Sequence, residues 1–254
     1  GADTLQGGDG ADTLISTGGT VAGPALRAPV DASLEQFNPV MATLAGHQFA
    51  VVWTTRTTGG IDGSVRLRLF DDDLQPLGSS EVTVVASDPS SVAGAVTALP
   101  GGQYLVTWTH GEADGSRTLW KAGVTRYSAY DAQPIATVAS TEVAAITLPS
   151  GRTVVAYVAP DGSGNGIWTQ VVENFGPAAV APSRVNSGAT GEQSHPAMTR
   201  LTNGGYVVAW THADTGGTGI RAQIFGASGL PIGTTIAVNV RSEEHTSELQ
   251  SPCN

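Results

Sequence analysis

Leu201-Thr202-Asn203-Gly204-Gly205-Tyr206-Val207-Val208-Ala209-Trp210 joins an apolar strand, through a glycine turn, to a second strand that ends on an aromatic residue. The arrangement occurs three more times. Leu44, Leu99, Leu148 and Leu201 close the first strand of each copy, and Trp53, Trp108, Tyr157 and Trp210 close the second, nine residues later in all four. From one aromatic to the next the spacing is 55, 49 and 53 residues. A constant inner spacing with a variable outer one is what duplicated hairpins with tolerant loops produce. The turns Ala45-Gly46-His47, Pro100-Gly101-Gly102, Pro149-Ser150-Gly151 and Asn203-Gly204-Gly205 use glycine for positive φ.

The second strands start at Phe49, Tyr104, Thr153 and Tyr206 and are apolar on both faces, as strands covered on both sides are. Third strands are expected from Val65, Gly123, Ile167 and Ile220. In the last of these Ile220, Ala222 and Ile224 alternate with Arg221 and Gln223, which predicts one wet face. Weaker fourth strands are expected from Glu81, Ile135, Ser183 and Ile236.

Four antiparallel strands per unit, at a period near 50 residues, predict an all-β fold of repeated four-stranded antiparallel units. The expected architecture is β-propeller-like, partial or four-bladed, and a row of small β-sandwiches is the second arrangement the pattern allows. In both, a unit cannot bury its faces alone. The units span about residues 37–87, 88–139, 140–186 and 187–240, together 37–240, after a linker or irregular first strand at 16–36.

Residues 1–15 are different. Gly7-Gly8-Asp9-Gly10-Ala11-Asp12-Thr13-Leu14-Ile15 fits the nine-residue pattern G-G-x-G-x-D-x-U-x, and Gly1-Ala2-Asp3-Thr4-Leu5-Gln6 is the end of an identical unit. Consecutive glycines permit a tight turn with inward carbonyls, and the aspartate adds a hard oxygen suited to Ca²⁺. The stretch resembles the calcium-binding repeat of the RTX, or haemolysin-type, family. The resemblance implies a remnant of a parallel β-roll at the N-terminus. It also implies Ca²⁺ ligation by Asp3 and Asp12, helped by Asp9 and by the carbonyls of Gly7, Gly8 and Gly10. In that family calcium sits between alternate repeats, so one and two-thirds repeats do not complete a site. Units of the type seen from Pro196 to Asn239 resemble repeats found beside RTX segments in large secreted bacterial proteins. The third unit departs from the pattern at Tyr157.

The formal net charge is −10, and Lys121 is the sole lysine. Such a chain is not drawn to phosphate backbones or anionic membranes, so no nucleic-acid partner is expected. No run approaches the ~18 apolar residues of a membrane span. Residues 241–254 carry three of the nine glutamates and the only cysteine, Cys253. They resemble an in-frame translation of a sequencing adapter and are expected to be a non-native tail. Without them the charge is −8 and thiol chemistry is excluded.

Few residues suggest a site. Asp161, Ser163 and Asn165 in Asp161-Gly162-Ser163-Gly164-Asn165-Gly166 resemble a weak calcium loop, although no bidentate Glu follows and the equivalent loops are plain Gly/Asp turns. Asp71-Asp72-Asp73 reads as a solvated acidic turn. His110 and His212 each lie two residues after the unit's Trp, too far apart in a repeat array to share a ligand, and His47 and His195 are isolated. The tryptophans read as core rather than as sugar-stacking platforms. No H-E-x-x-H, G-x-S-x-G or P-loop pattern is present, so no catalytic residue is assigned.

The expected function is a calcium-binding, secreted or cell-surface repeat protein, non-catalytic in this region. Its expected role is adhesion or ligand display, with calcium ions and extracellular protein or carbohydrate ligands as partners. The alternative is the non-catalytic region of a type I-exported protease or lipase. A propeller glycosidase would show carboxylates converging on a central channel, whereas the equivalent strand positions are mostly Val, Ala and Thr.

Overall fold

The computed structural model describes residues 28–239, apart from 32, 45, 61, 79, 178–179, 187–190 and 215–216. It forms four antiparallel sheets of four strands, each strand hydrogen-bonded to the next in chain order. Blade 1 is β1 (Glu35–Leu44), β2 (Gln48–Arg56), β3 (Gly63–Asp71) and β4 (Val82–Val85). Blade 2 is β5 (Val92–Leu99), β6 (Gln103–Gly111), β7 (Arg117–Val124) and β8 (Ala129–Val138). Blade 3 is β9 (Val143–Thr147), β10 (Thr153–Pro160), β11 (Asn165–Val172) and β12 (Ser183–Arg184). Blade 4 is β13 (Gln193–Arg200), β14 (Tyr206–Asp214), β15 (Gly217–Phe225) and β16 (Pro231–Ala237). The first strands of successive blades, β1, β5, β9 and β13, touch one another in turn and line the central channel. This is a β-propeller arrangement of four blades, as the repeat predicts.

The Leu-to-aromatic hairpin is the local unit. Leu201 N–H donates to Gly205 O at 2.8 Å, and Gly204 N–H returns a bond to Leu201 O at 3.1 Å. Leu148 and Gly151 make the same pair of bonds in blade 3. Gly204 sits at φ 85°, where a side chain would be strained. Gly205 lies against blade 4's own backbone, and a Cβ there would come within 2.3 Å of Phe225 O.

Core formation is a matter between blades. Each sheet presents an aromatic leading face to the blade before it and a smaller apolar trailing face to the blade after it. Ala50, Val52, Val65 and Leu67 of blade 1 share a cluster with Tyr104, Val106 and Trp108 of blade 2. Leu105 and Leu119 of blade 2 meet Val155 and Tyr157 of blade 3, and Val154, Ala156 and Val158 of blade 3 meet Tyr206, Val208 and Trp210 of blade 4. Each large side chain buried this way contributes about 1.5–3 kcal/mol. The four unit aromatics are all buried, so they are core residues. A row of self-contained sandwiches is not formed, because every core crosses from one sheet to the next.

Three local expectations are corrected. The third strand of blade 2 runs over Arg117–Val124, ahead of the expected Gly123 start, because Trp120 pairs with Trp108 and Thr125 N–H closes a turn on Ser128 O. Fourth strands of blades 2 and 4 begin earlier, at Ala129 and Pro231. In blade 4 the face bearing Gln223 is the covered one: Gln223 is buried, with its Nε2 donating to Ile224 O and Ile232 O, while Ile220 is 40% exposed. A polar residue on a sheet is covered when backbone carbonyls satisfy it, and an apolar face is open where no described blade packs on it.

Candidate functional site at the channel mouth

The hairpin turns lie at one end of the blades. The blade-to-blade connections and the loops between second and third strands lie at the other, where the innermost strands begin. Most of the polar networks gather there.

Three of the four innermost strands are bulged. Residues 38–39, 93–94 and 195–196 each place two residues opposite one aromatic, Trp53, Trp108 and Trp210 respectively. Asn38 and His195 adopt φ values of 50° and 54°, and each is followed by proline. A bulge re-aims side chains out of the regular alternation. The position six residues before each hairpin leucine is Asn38, Ala93, Glu142 and His195 in blades 1 to 4.

Two of these meet. Glu142 Oε1 lies 3.1 Å from His195 Nε2, and Glu142 Oε2 accepts a 2.8 Å bond from the His195 backbone N–H. His195 Nδ1 lies 2.9 Å from Ser194 Oγ. With Nε2–H donating to the carboxylate, Nδ1 accepts from the Ser194 hydroxyl. The result is a hydroxyl–imidazole–carboxylate chain with its imidazole 72% exposed and its carboxylate 28% exposed. Such a chain can pass a proton to or from a group set against it. Sequence reasoning missed it: His195 looked isolated and Glu142 carried no motif. The available signal was the shared six-residue distance to Leu148 and Leu201.

The other described histidines serve the connections of their own blades. His110 Nδ1 is 2.8 Å from Asp88 Oδ2 and 2.9 Å from Ser90 Oγ, and Arg117 donates to Ser90 O. Burial alone would raise the Asp88 pKa; hydrogen bonds from Ser90, Ser91 and His110 overcome that and hold it at about 2. His212 contacts Gln193 in the equivalent place of blade 4. At the opposite end His47 pairs with Asp72 at 3.0 Å.

The loop of Asp161, Ser163 and Asn165 is tied into the protein. Asp161 Oδ1 accepts from Ser163 N–H at 3.1 Å, and Oδ2 accepts from Asn186 Nδ2 at 3.2 Å with Arg184 3.7 Å away. Burial opposes the charge, but these bonds outweigh it and lower the Asp161 pKa. Asn165 directs its amide nitrogen to Glu192 Oε2 at 2.9 Å. Asp3, Gly7, Gly8, Asp9, Gly10 and Asp12 lie outside the described residues. Among the described residues no group of three or more His, Cys, Asp and Glu side chains is placed to hold a metal ion.

No protein-family model and no curated protein matches the chain. Solved structures do resemble it. A protein of unknown function from Dyadobacter fermentans DSM 18053 is 12% identical with a TM-score of 0.62, over 92% of this chain and 75% of that one. The GH43_1 enzyme from Xanthomonas citri, solved with xylose, is 14% identical with a TM-score of 0.53, over 83% of this chain and 75% of that one. The endo-arabinase from Bacteroides thetaiotaomicron VPI-5482 is 10% identical with a TM-score of 0.53, over 88% and 82%. At these identities the likeness establishes the fold.

These neighbours correct the functional expectation. The four blades belong to a propeller fold used by glycoside hydrolases, rather than to a calcium-binding, non-catalytic adhesion or display repeat. The expectation that this region is not an enzyme has no support. The physical reason lies in the motifs. The residues that suggested calcium are those of 1–15, outside the described blades, and the loop of Asp161, Ser163 and Asn165, whose oxygens are engaged within the protein; the Leu-to-aromatic spacing reports a hairpin core while carrying no information about the loops at the channel mouth.

Proposed function

We propose that the chain is a carbohydrate-active β-propeller that takes a glycan across the channel mouth between blades 3 and 4, with Glu142 as its acid–base carboxylate. The observation that carries this reading is the meeting of Glu142 and His195 at equivalent positions around the channel. The fold shared with the GH43_1 enzyme and the endo-arabinase adds to it. Glycoside cleavage needs one carboxyl group to protonate the leaving oxygen and a second to act on the opposite side of the sugar. Glu192, held by Asn165 in the connection that leads into blade 4, is the second glutamate of this boundary. Asp161 is held by Ser163, Asn186 and Arg184 in its own loop. His195 fixes the Glu142 carboxylate and offers, with Ser194, hydrogen bonds to sugar hydroxyls.

The test is turnover of xylo- and arabino-oligosaccharides, followed by reducing-end release, with binding measured by calorimetry. Glu142→Gln is expected to lower kcat/KM by about 100-fold or more, with only a small fall in Tm. Absence of binding and turnover on all these glycans, or full activity in Glu142→Gln, would refute the reading.

A further inference from the structure

We infer that the groove between blades 1 and 2 at the hairpin-turn end is a second glycan-binding site, with Tyr127 as its stacking surface. It lies at the opposite end of the blades from Glu142 and His195 and does not depend on the acid–base reading of that pair. The groove holds about 370 Å³, within the ~300–1,000 Å³ of small-molecule sites. Blade 1 lines it with Leu44, Leu69 and Leu77 and with the amide of Gln48; blade 2 supplies Gln103, Arg126 and Tyr127.

Tyr127 has no task in the fold. It is 82% exposed, whereas the aromatics that close the hairpin units are buried. Thr125 closes the turn between β7 and β8: its N–H donates to Ser128 O at 2.9 Å, and its Oγ1 accepts from Tyr127 N–H at 3.2 Å and from Ser128 N–H at 3.1 Å. The equivalent turns of blades 1 and 4 close through Asp71 N–H to Gln75 O and Gly226 N–H to Leu230 O, with no aromatic residue between. The repeat therefore does not require a tyrosine here. A rigid turn instead presents one to water.

The groups around the ring suit a sugar. The Arg126 guanidinium lies over the ring, 5.5 Å from its centroid, and has no hydrogen bond or ion pair among the described residues. Gln103 Oε1 accepts a 2.6 Å bond from the Tyr130 hydroxyl, and Tyr130 stacks on Phe175. That bond orients the Gln103 amide and leaves its Nε2 donors to a ligand. The Gln48 amide likewise has no partner among the described residues. The leucines and the tyrosine ring thus offer an apolar surface to the C–H face of a sugar, while the amides and the guanidinium meet its hydroxyls. Arg126 is the one charged residue of the lining, so the ligand need not be ionic. A protein partner needs about 800 Å² of surface, and among the described residues Tyr127 is the only exposed large apolar side chain of blade 2. A long polysaccharide held here is kept at high local concentration beside the protein.

The probes are xylohexaose, arabinohexaose and cellohexaose, added to the full chain carrying Glu142→Gln so that none is consumed. Calorimetry reads affinity, and hydrogen exchange reads the place of binding. At least one probe is expected to protect residues 125–128. Tyr127→Ala should weaken that binding about tenfold and remove the protection. Tyr127→Phe should retain both, because the ring does the stacking. Neither change should move Tm, since the side chain is exposed. The proposal is overturned if no probe protects residues 125–128, or if Tyr127→Ala binds and is protected like its parent. The two readings fail separately: protection here without turnover of any glycan removes the acid–base reading alone, and turnover without protection here removes this site alone.

Discussion

Glu142 and His195 hold the same place in successive blades, and both oxygens of the Glu142 carboxylate are taken by His195, one by its Nε2 and one by its backbone N–H. A side chain thereby locks the backbone of a left-handed residue in the neighbouring blade. The contact joins residues 53 apart in sequence. His195→Ala should remove the Nε2 bond and keep the backbone bond. Because the imidazole is largely exposed, the stability loss should be within about 1 kcal/mol. Glycan turnover should fall far more than that, and comparing denaturant midpoints with kcat/KM separates the two effects.

Asp88 should govern acid stability. Its carboxylate accepts from Ser90 N–H, Ser90 Oγ, Ser91 Oγ and His110 Nδ1, which depress its pKa from 3.8 to about 2. A depressed carboxylate stabilises the fold above its unfolded pKa, and that contribution is lost as pH falls from about 4 toward 2. The shift corresponds to about 2 kcal/mol. Asp88→Asn should cost about that much at pH 7 in urea denaturation, with the gap from wild type closing by pH 2.

Lys121 should be a stability liability. It is fully buried in blade 2, and its Nζ has no hydrogen-bond partner among the described residues. Burial pushes its pKa down, and the negative charges of Asp131 and Glu173 only partly offset this. A lysine with a lowered folded pKa makes the unfolded chain bind more protons just below pH 10.5, so its penalty shrinks as pH rises toward that value. Lys121→Met is expected to stabilise by about 1–4 kcal/mol at pH 7. Thermal denaturation at pH 7 and pH 10 should show that advantage narrowing.

Gly123 lacks room for any side chain. A Cβ would lie 2.4 Å from the Tyr130 ring, which is held by a bond from its hydroxyl to Gln103 and by stacking on Phe175. Gly123→Ala should destabilise by about 1–3 kcal/mol through overpacking. Adding Tyr130→Ala should recover part of that loss, and a double-mutant cycle on denaturant midpoints measures the coupling.

The hairpins were legible because they are local. The ten residues from Leu201 to Trp210 close a glycine turn with contacts only a few residues apart, so their spacing recurs in all four copies and specifies strand pairing directly. Residue type along the strands also indicated that the tryptophans are core. What the chain could not announce is which residues of different blades meet. Glu142 and His195 come together because one sheet packs its small face on the aromatic face of the next, and that stacking has no period of its own in the sequence. The same packing decided that Gln223 is covered while Ile220 is open. Alternation along a strand assigns residues to two faces, and only the presence or absence of a neighbouring blade determines which of those faces water reaches.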